Sequence, residues 1–293
     1  MRPSVGDVVI LRPGALGDTL LAVPAIRALR ARFPAPSARL VLGAHPGAAR
    51  LLAQTGEVDV GLGFDDPRLL WSVATSEQPH REHLAAVIAW MADPSGAHEA
   101  HLGSVAPRAD VLVAPSRPLP GTSQHCSEYL LSTLAPLLRC TPAVDARPIR
   151  LAASPSNVVL VHPGSGSARK NWPTDRFVSV VQCIARHGLG VEIISGEADE
   201  EPVGRLIAAL GSALPILHVD LGTLARRLAG AIAYLGNDSG VSHLAGLAGA
   251  RSVVLFGPTS AATWRPLGPR VTVLPFEAAN AHVVDALLDS KRG

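Results

Sequence analysis

In the stretch "LGNDSGVSHLAGLAG", Leu235–Gly249, three residues suited to helix capping, Asn237, Asp238 and Ser239, stand directly behind an apolar run. Gly240 lets a ligand approach the backbone. A helix starting there presents Val241 and its neighbours as free N–H groups at the positive end of the dipole. That combination suits an anion, a diphosphate above all. An ordinary capped helix, with His243 in its first turns, uses the same residues. Gly246 and Gly249 favour the anion site, because small residues let the helix lie close to a sheet. A second loop, "HPGSGSARKNWP", His162–Pro173, surrounds a strand end with two glycines and two serines. Ser165 and the amides around Gly166 can cradle phosphate while Lys170 supplies a point charge. Neither a Walker A sequence nor a full dinucleotide fingerprint is present, and a surface loop packed by Trp172-Pro173 is the plainer alternative. Lys170 itself argues for chemistry: of 26 basic residues only Lys170 and Lys291 are lysines, and Lys291 sits in the terminal "SKRG". An internal lysine in so arginine-biased a chain points to a need for a compact ammonium.

Two further stretches carry acids. In "SGEADEE", Ser195–Glu201, an acid close behind Gly196, with Glu197 first in line, can bind ribose hydroxyls. Acids are also favoured in any first helical turn. In "LRPGALGDTLLAVPAIRALRARF", Leu11–Phe33, Gly14 and Gly17 bend the chain and Asp18 stands where a helix starts. In isolation Asp18 reads as an N-cap. Beside a phosphate site an aspartate is repelled, so it makes more sense facing a group that must lose a proton. A carboxylate within hydrogen-bond reach of an acceptor hydroxyl is a general base.

The elements that must position these residues alternate between short β-branched runs and Ala/Leu/Arg-rich helical patterns, which predicts an α/β protein with parallel sheets. The first half predicts strand Val8–Leu11, helix Asp18–Arg32, strand Arg39–Leu42 and a helix near Pro46–Gln54. A stretch without clear pattern follows, then strand Ala109–Ala114 and a helix near Ser127–Leu138. Arg139–Asn157, rich in Pro, Ala and Ser, is the expected linker, dividing domains at 1–150 and 151–293. The second half predicts strands Val158–His162, Val191–Ser195, Ile216–Val219, Ala231–Leu235, Ser252–Phe256 and Val271–Leu274. Helices run between them, one capped by Thr174, and a final helix either stays with its own domain or packs back on the first. "VVILRPGALGDTLLAVPAIRALR" and "VVLVHPGSGSARKNWPTDRFVSVVQCI" share one plan: apolar strand, basic residue, Pro-Gly, glycine-bearing loop, helix. Two Rossmann-like domains facing across a cleft follow from that repeat, with ligands at the carboxyl ends of the strands.

Composition narrows the classes. The 293 residues are 47% hydrophobic and 17% charged, enough apolar content for a substantial core. A formal charge of +2 carries no basic stripe of the kind nucleic acid requires. The apolar runs are too short for a membrane span, and "MRPSVGDVVILRPG" lacks a secretory apolar core, so a cytoplasmic protein is expected. Cys126, Cys140 and Cys183 are isolated, reduced thiols in that setting. The 11 histidines form no HxxxH or HExxH pair, so metal chemistry has little support.

Three stretches in order, "RPGALGDTLLAVPAIRALRARFP", "HPGSGSARKNWPTDRF" and "GNDSGVSHLAGLAGARSVVLFGPTSAATWRP", resemble glycosyltransferase family 9, heptosyltransferase-like enzymes of GT-B architecture. The resemblance implies inverting transfer of a heptose or other sugar from a nucleotide diphosphate donor, usually ADP-activated, with no cofactor and no metal. By the same resemblance Asp18 is the base, on the acceptor side with Gly14, Gly17 and, more weakly, His125, Glu128 and Tyr129. Ser165, Gly166 and Lys170 match the donor-phosphate loop. Asp238, Ser239, Gly240, Val241 and His243 match the element that holds diphosphate and donor sugar, and Gly196 with Glu197 would meet the nucleoside. A chain that is short between about Phe64 and Ser127 leaves the acceptor open. Lipopolysaccharide-core acceptors are anionic, while "DDPRLLWSVATSEQPHREH" is not densely basic, so a small secondary metabolite such as an aminocyclitol is the other expectation. A lipid acceptor would bring peripheral membrane association. Two alternatives remain: a nucleotide-sugar epimerase, which needs acid/base residues not identified here, and a silent nucleotide-sugar-binding protein, which has no use for Asp18.

Overall fold

"DVVIL" is apolar on both faces and becomes β1 (Asp7–Leu11), the middle strand of a five-stranded parallel sheet in the order β3-β2-β1-β4-β5. A computed structural model describes residues 6–73, 81–140, 142–196, 199–211 and 214–288. The chain divides into two compact units, Met1–Asp145 and Ala146–Gly293.

In the first unit β1 is followed by α1 (Leu16–Leu20), α2 (Val23–Arg32), β2 (Leu40–Ala44), α3 (Pro46–Gln54) and β3 (Val60–Gly63). Then come β4 (Leu84–Trp90), α4 (Ala97–Val105), β5 (Asp110–Ala114), α5 (Cys126–Thr133) and α6 (Ala135–Leu138). Val9, Leu11, Val87, Ala89 and Leu102 share one buried cluster. The helix expected over Asp18–Arg32 is in fact two, because Pro24 has no N–H for the carbonyl one turn back and the helix restarts there. Pro136 divides the helix expected over Ser127–Leu138 in the same way. The patternless stretch holds β3, β4 and α4. "LAAVIAW" is buried at every position, so β4 shows no alternation to betray it.

The second unit runs β6 (Val158–His162), α7 (Thr174–Arg186), β7 (Gly190–Ile194), α8 (Glu200–Leu210), β8 (Ile216–Leu217) and α9 (Leu221–Gly230). It continues through β9 (Ala233–Asn237), α10 (Gly240–Leu247), β10 (Ser252–Phe256), α11 (Ala261–Trp264), β11 (Val271–Pro275) and α12 (Asn280–Leu288). All strands are parallel in the order β11-β10-β9-β6-β7-β8. The chain winds outward from β6 on one side and then from β9 on the other, so the order reverses between these two strands. The crevice outside their carboxyl ends is where such sheets take ligands. Pro173, not Thr174, caps α7. Val283, Val284 and Leu287 of α12 belong to the second unit's own core.

The units divide ahead of the expected position 151 because the two sides of the boundary are tied differently. Arg27 of α2 donates to Asp145 through its main-chain oxygen at 3.0 Å, and Ile149 N donates to Leu247 O at 2.9 Å. Arg27 is buried and also makes a two-pronged contact with Glu57, at 2.7 and 2.9 Å. Removing one member of a buried ion pair leaves the other charge uncompensated. Arg27→Ala should therefore lower the unfolding free energy by about 3 kcal/mol in urea titrations. A loss below about 1 kcal/mol would class this contact with ordinary surface pairs.

Candidate functional site

The second unit gathers its polar residues where β6, β7 and β9 end. Asn237, the last residue of β9, has no solvent exposure and uses its whole amide. Its Oδ1 accepts from Trp172 N at 2.9 Å, and its Nδ2 donates to Pro163 O at 2.8 Å and Gly164 O at 3.2 Å. That side chain fixes the "HPGSGSARKNW" loop beside the start of α10. Within the loop the Ser165 hydroxyl donates to Ser167 O at 2.7 Å and accepts from Ser167 N at 3.3 Å. Gly166 is exposed, and a Cβ there would meet no protein atom within 4 Å. Lys170 Nζ lies 2.8 Å from Asp238 Oδ2, which also accepts from Thr259 Oγ1 at 2.7 Å.

Ser239 caps α10: its Oγ accepts from Ser242 N at 3.3 Å. Gly240 and Val241 open the helix half-buried, while His243 lies buried one turn in. Behind Ser239, at 3.3 Å from its Oγ, is Nδ1 of His162, whose Nε2 lies 2.9 Å from Asp199 Oδ2. Gly196 N donates to the same carboxylate oxygen at 2.7 Å. Burial pushes the Asp199 carboxyl up, but the hydrogen bonds it accepts from His162 and the Gly196 amide leave it below the usual carboxylate range.

In the first unit Asp18 is not an N-cap. Ala15 holds that position, and Asp18, three residues on, accepts from Ala15 N at 3.0 Å. Gly14 makes this possible: its φ is +138°, and a Cβ would come within 2.9 Å of Asp18 Oδ2. Gly17 is buried within α1. Two guanidiniums flank the carboxylate, Arg12 at 3.6 Å and Arg117 at 3.9 Å. Arg12 is 1% exposed, and its Nε and Nη2 are buried without hydrogen-bond partners among the described residues. Burial pulls its guanidinium below the ordinary arginine value, an effect Asp18 opposes. Cys126 lies in the same cluster, its thiol pushed by burial up to about 11. His125 caps α5, its Nδ1 accepting from Ser127 N at 3.2 Å, and Tyr129 donates to Pro115 O at 3.0 Å.

Residues 129–286, just over half of the chain, match the family model for glycosyltransferase family 9 (heptosyltransferase). The chain belongs to glycosyltransferase family 9. A segment of 104 residues is 34% identical to lipopolysaccharide heptosyltransferase 1 of Pseudomonas aeruginosa, covering 35% of this chain and 29% of that protein. The chain thus spans under a third of the length of that curated relative. Among solved structures, E. coli ADP-heptose LPS heptosyltransferase II superposes with a TM-score of 0.78 at 17% identity, over 98% of this chain and 100% of the other. E. coli heptosyltransferase WaaC with ADP gives 0.70 at 16% identity, over 97% and 99%. These likenesses establish the GT-B fold that the family resemblance implies.

Within this family 9 chain, the second unit brings Ser165, Gly166, Lys170, Asp238, Ser239, Gly240 and Val241 to neighbouring strand ends. Of the acids behind Gly196, only those from Asp199 onward can be placed. Glu197 lies outside the described residues, and the next acid, Asp199, is buried and turned to His162. Glu201 pairs instead with Arg205 along α8. Thr259 and His162 have no role assigned from sequence, although both stand inside the family-like stretches, while Asn237 reads there only as a capping residue and Asp199 only as one acid of "SGEADEE". Among the described residues, no group of three or more His, Cys, Asp or Glu is placed to hold a metal ion. No described helix is long and apolar enough to cross a membrane.

A Cβ on Gly164 would lie 1.8 Å from Asp199 Oδ1, so Gly164→Ala must drive the carboxylate off His162. The expected loss is about 2 kcal/mol of unfolding free energy at neutral pH, the cost of unpairing a buried polar group. Because the folded value of Asp199 is lowered, its contribution is complete above about pH 4 and is lost as the pH falls through the lowered value. Urea titrations at pH 7 and pH 3 should therefore show the deficit shrinking in acid. An equal deficit at both would mean that the ionised carboxylate is not what the alanine disturbs.

Proposed function

We propose that the protein is an inverting, metal-independent glycosyltransferase of the cytoplasm that moves heptose or a related sugar from an ADP-activated donor to an acceptor hydroxyl. The observation that carries this reading is the ion pair of Lys170 with Asp238 at the β6/β9 reversal, beside the capped start of α10. An ammonium held in place and a row of free amides address the same kind of ligand, a diphosphate. The WaaC structure with ADP supports the adenine nucleotide as its source.

On this reading the chemistry is a single displacement. The C–O bond between the anomeric carbon and the diphosphate breaks as the acceptor oxygen attacks from the opposite face, which inverts the centre. Negative charge develops on the leaving diphosphate, where Lys170 and the Gly240 and Val241 amides are the candidates to stabilise it. Such preset electrostatics is usually the largest contribution in catalysis. These protein groups take the place a divalent cation would otherwise fill. Asp18 accepts the proton of the acceptor hydroxyl. On this reading the first unit serves the acceptor and the second the donor.

Of the two acceptor classes, the surroundings of Asp18 favour an anionic one. Two guanidiniums, Arg12 and the more exposed Arg117, share the one carboxylate of Asp18. An anionic group near the attacking hydroxyl would be drawn to that excess of positive charge, whereas an aminocyclitol would add to it.

Asp18→Asn should keep ADP affinity and lower turnover roughly 10²–10⁴-fold, the usual worth of a general base. Unchanged turnover would remove Asp18 from the mechanism. Lys170→Ala should weaken ADP binding about tenfold or more in calorimetry, as loss of a charged hydrogen bond does; equal affinity would assign the phosphate elsewhere. Activity should persist in full after EDTA treatment, and strict dependence on added Mg²⁺ would reject a metal-independent site.

A further inference from the structure

The hydrogen bonds behind the α10 cap have directions that chemistry fixes one after another. An ionised Asp199 can only accept, so His162 Nε2 is the donor across 2.9 Å. In the neutral ring Nδ1 is then an acceptor, and the group it faces at 3.3 Å is the Ser239 hydroxyl, which must donate. The lone pairs left on Ser239 Oγ take the Ser242 amide. Ser242 donates its own hydroxyl to Asn237 O, so Tyr234 donates to Ser242 Oγ at 2.9 Å. Tyr234 is fully buried, and burial pushes its phenol up and keeps it a donor. The ion pair of Lys170 with Asp238, the residue before Ser239, is the other charge at this turn.

This chain crosses three adjacent strand ends, β9, β6 and β7, and every side chain in it is buried. Gly164 and Gly196 both give way to the Asp199 carboxylate: a Cβ on either would meet one of its oxygens at 3.0 Å or less. A simple N-cap needs only the Ser239 oxygen and an amide. The added imidazole and carboxylate do something a cap alone does not, which is to decide where the Ser239 proton points.

We propose that His162 and Asp199 are positioning residues of the diphosphate site, drawing the Ser239 hydroxyl proton inward so that Ser239 caps α10 in one fixed rotamer. The first amides of α10 are thereby set before the anion arrives, and ordering them costs nothing on binding. The inference rests on the donor-site reading above.

Two substitutions separate this from general packing. Asparagine places its Oδ1 near where Nδ1 of His162 stood and keeps an acceptor for Ser239. Glutamine places its amide near where Nε2 stood, keeping the Asp199 contact and losing that acceptor. By calorimetry His162→Asn should bind ADP within about threefold of wild type, and His162→Gln about tenfold more weakly, the scale of a lost helix cap. Equal losses in both would overturn the proposal. The tautomer gives a second readout on wild-type protein, whatever the variants' folding. ¹⁵N NMR of histidine-labelled protein should show His162 protonated at Nε2 and bare at Nδ1, and a proton on Nδ1 overturns the relay. If folded wild-type protein binds no ADP, the donor-site reading fails, and the tautomer still judges the relay. If Lys170→Ala weakens ADP and His162→Gln does not, the relay alone fails.

Discussion

The second unit depends on a side-chain amide that never meets water. Asn237 ends β9, and its carbonyl and NH₂ are taken by the backbone of the loop that follows β6. A hydrophobic residue there would leave Trp172 N and the oxygens of Pro163 and Gly164 unsatisfied in a buried place. An aspartate would offer no donor to those two oxygens. Once the amide is in place, Lys170 and Asp238 come within ion-pair distance although 68 positions separate them in the chain. The meeting of Lys170 and Asp238 is thus a consequence of one latch between two loops, each of which alone is an ordinary strand-to-helix connection.

The first unit solves a different problem. A carboxylate stands close behind a buried strand and has to be held there with its charge balanced. Asp18 is tethered to Ala15 N and balanced by Arg12 and Arg117, and Gly14 gives way to it. Neutralisation comes from charges at 3.6 and 3.9 Å rather than from close hydrogen bonds, which leaves its oxygens largely uncommitted. The two units therefore handle charge in opposite senses: one collects a cation and free amides, the other shields an acid.

Much of this was legible in the sequence. The strand-loop-helix restarts at Val8 and Val158 lie at the centres of the two sheets, because the first strand of such a winding is also the most buried and the most apolar. Gly240, Lys170 and Asp18 stood out through residue type and position alone. β4 did not, since burial on both faces erases the alternation by which strands are read, and alanine carries little strand preference. The role of Asp199 was hidden for another reason. An acid in a first helical turn has several possible uses, and only the distance to His162, 37 positions earlier, selects among them. His162 looked like part of a phosphate loop, yet its ring serves the layer beneath that loop.

The bias against lysine has a consequence for reagents. With nearly all basic residues arginine, amine chemistry has few targets in this chain: Lys170, Lys291 and the terminal amine. Lys170 is partly exposed beside Asp238, while guanidinium groups stay inert under mild acylation or reductive alkylation. A single peptide, the one spanning the β6–α7 loop, would then record whether that loop was covered when the reagent was added.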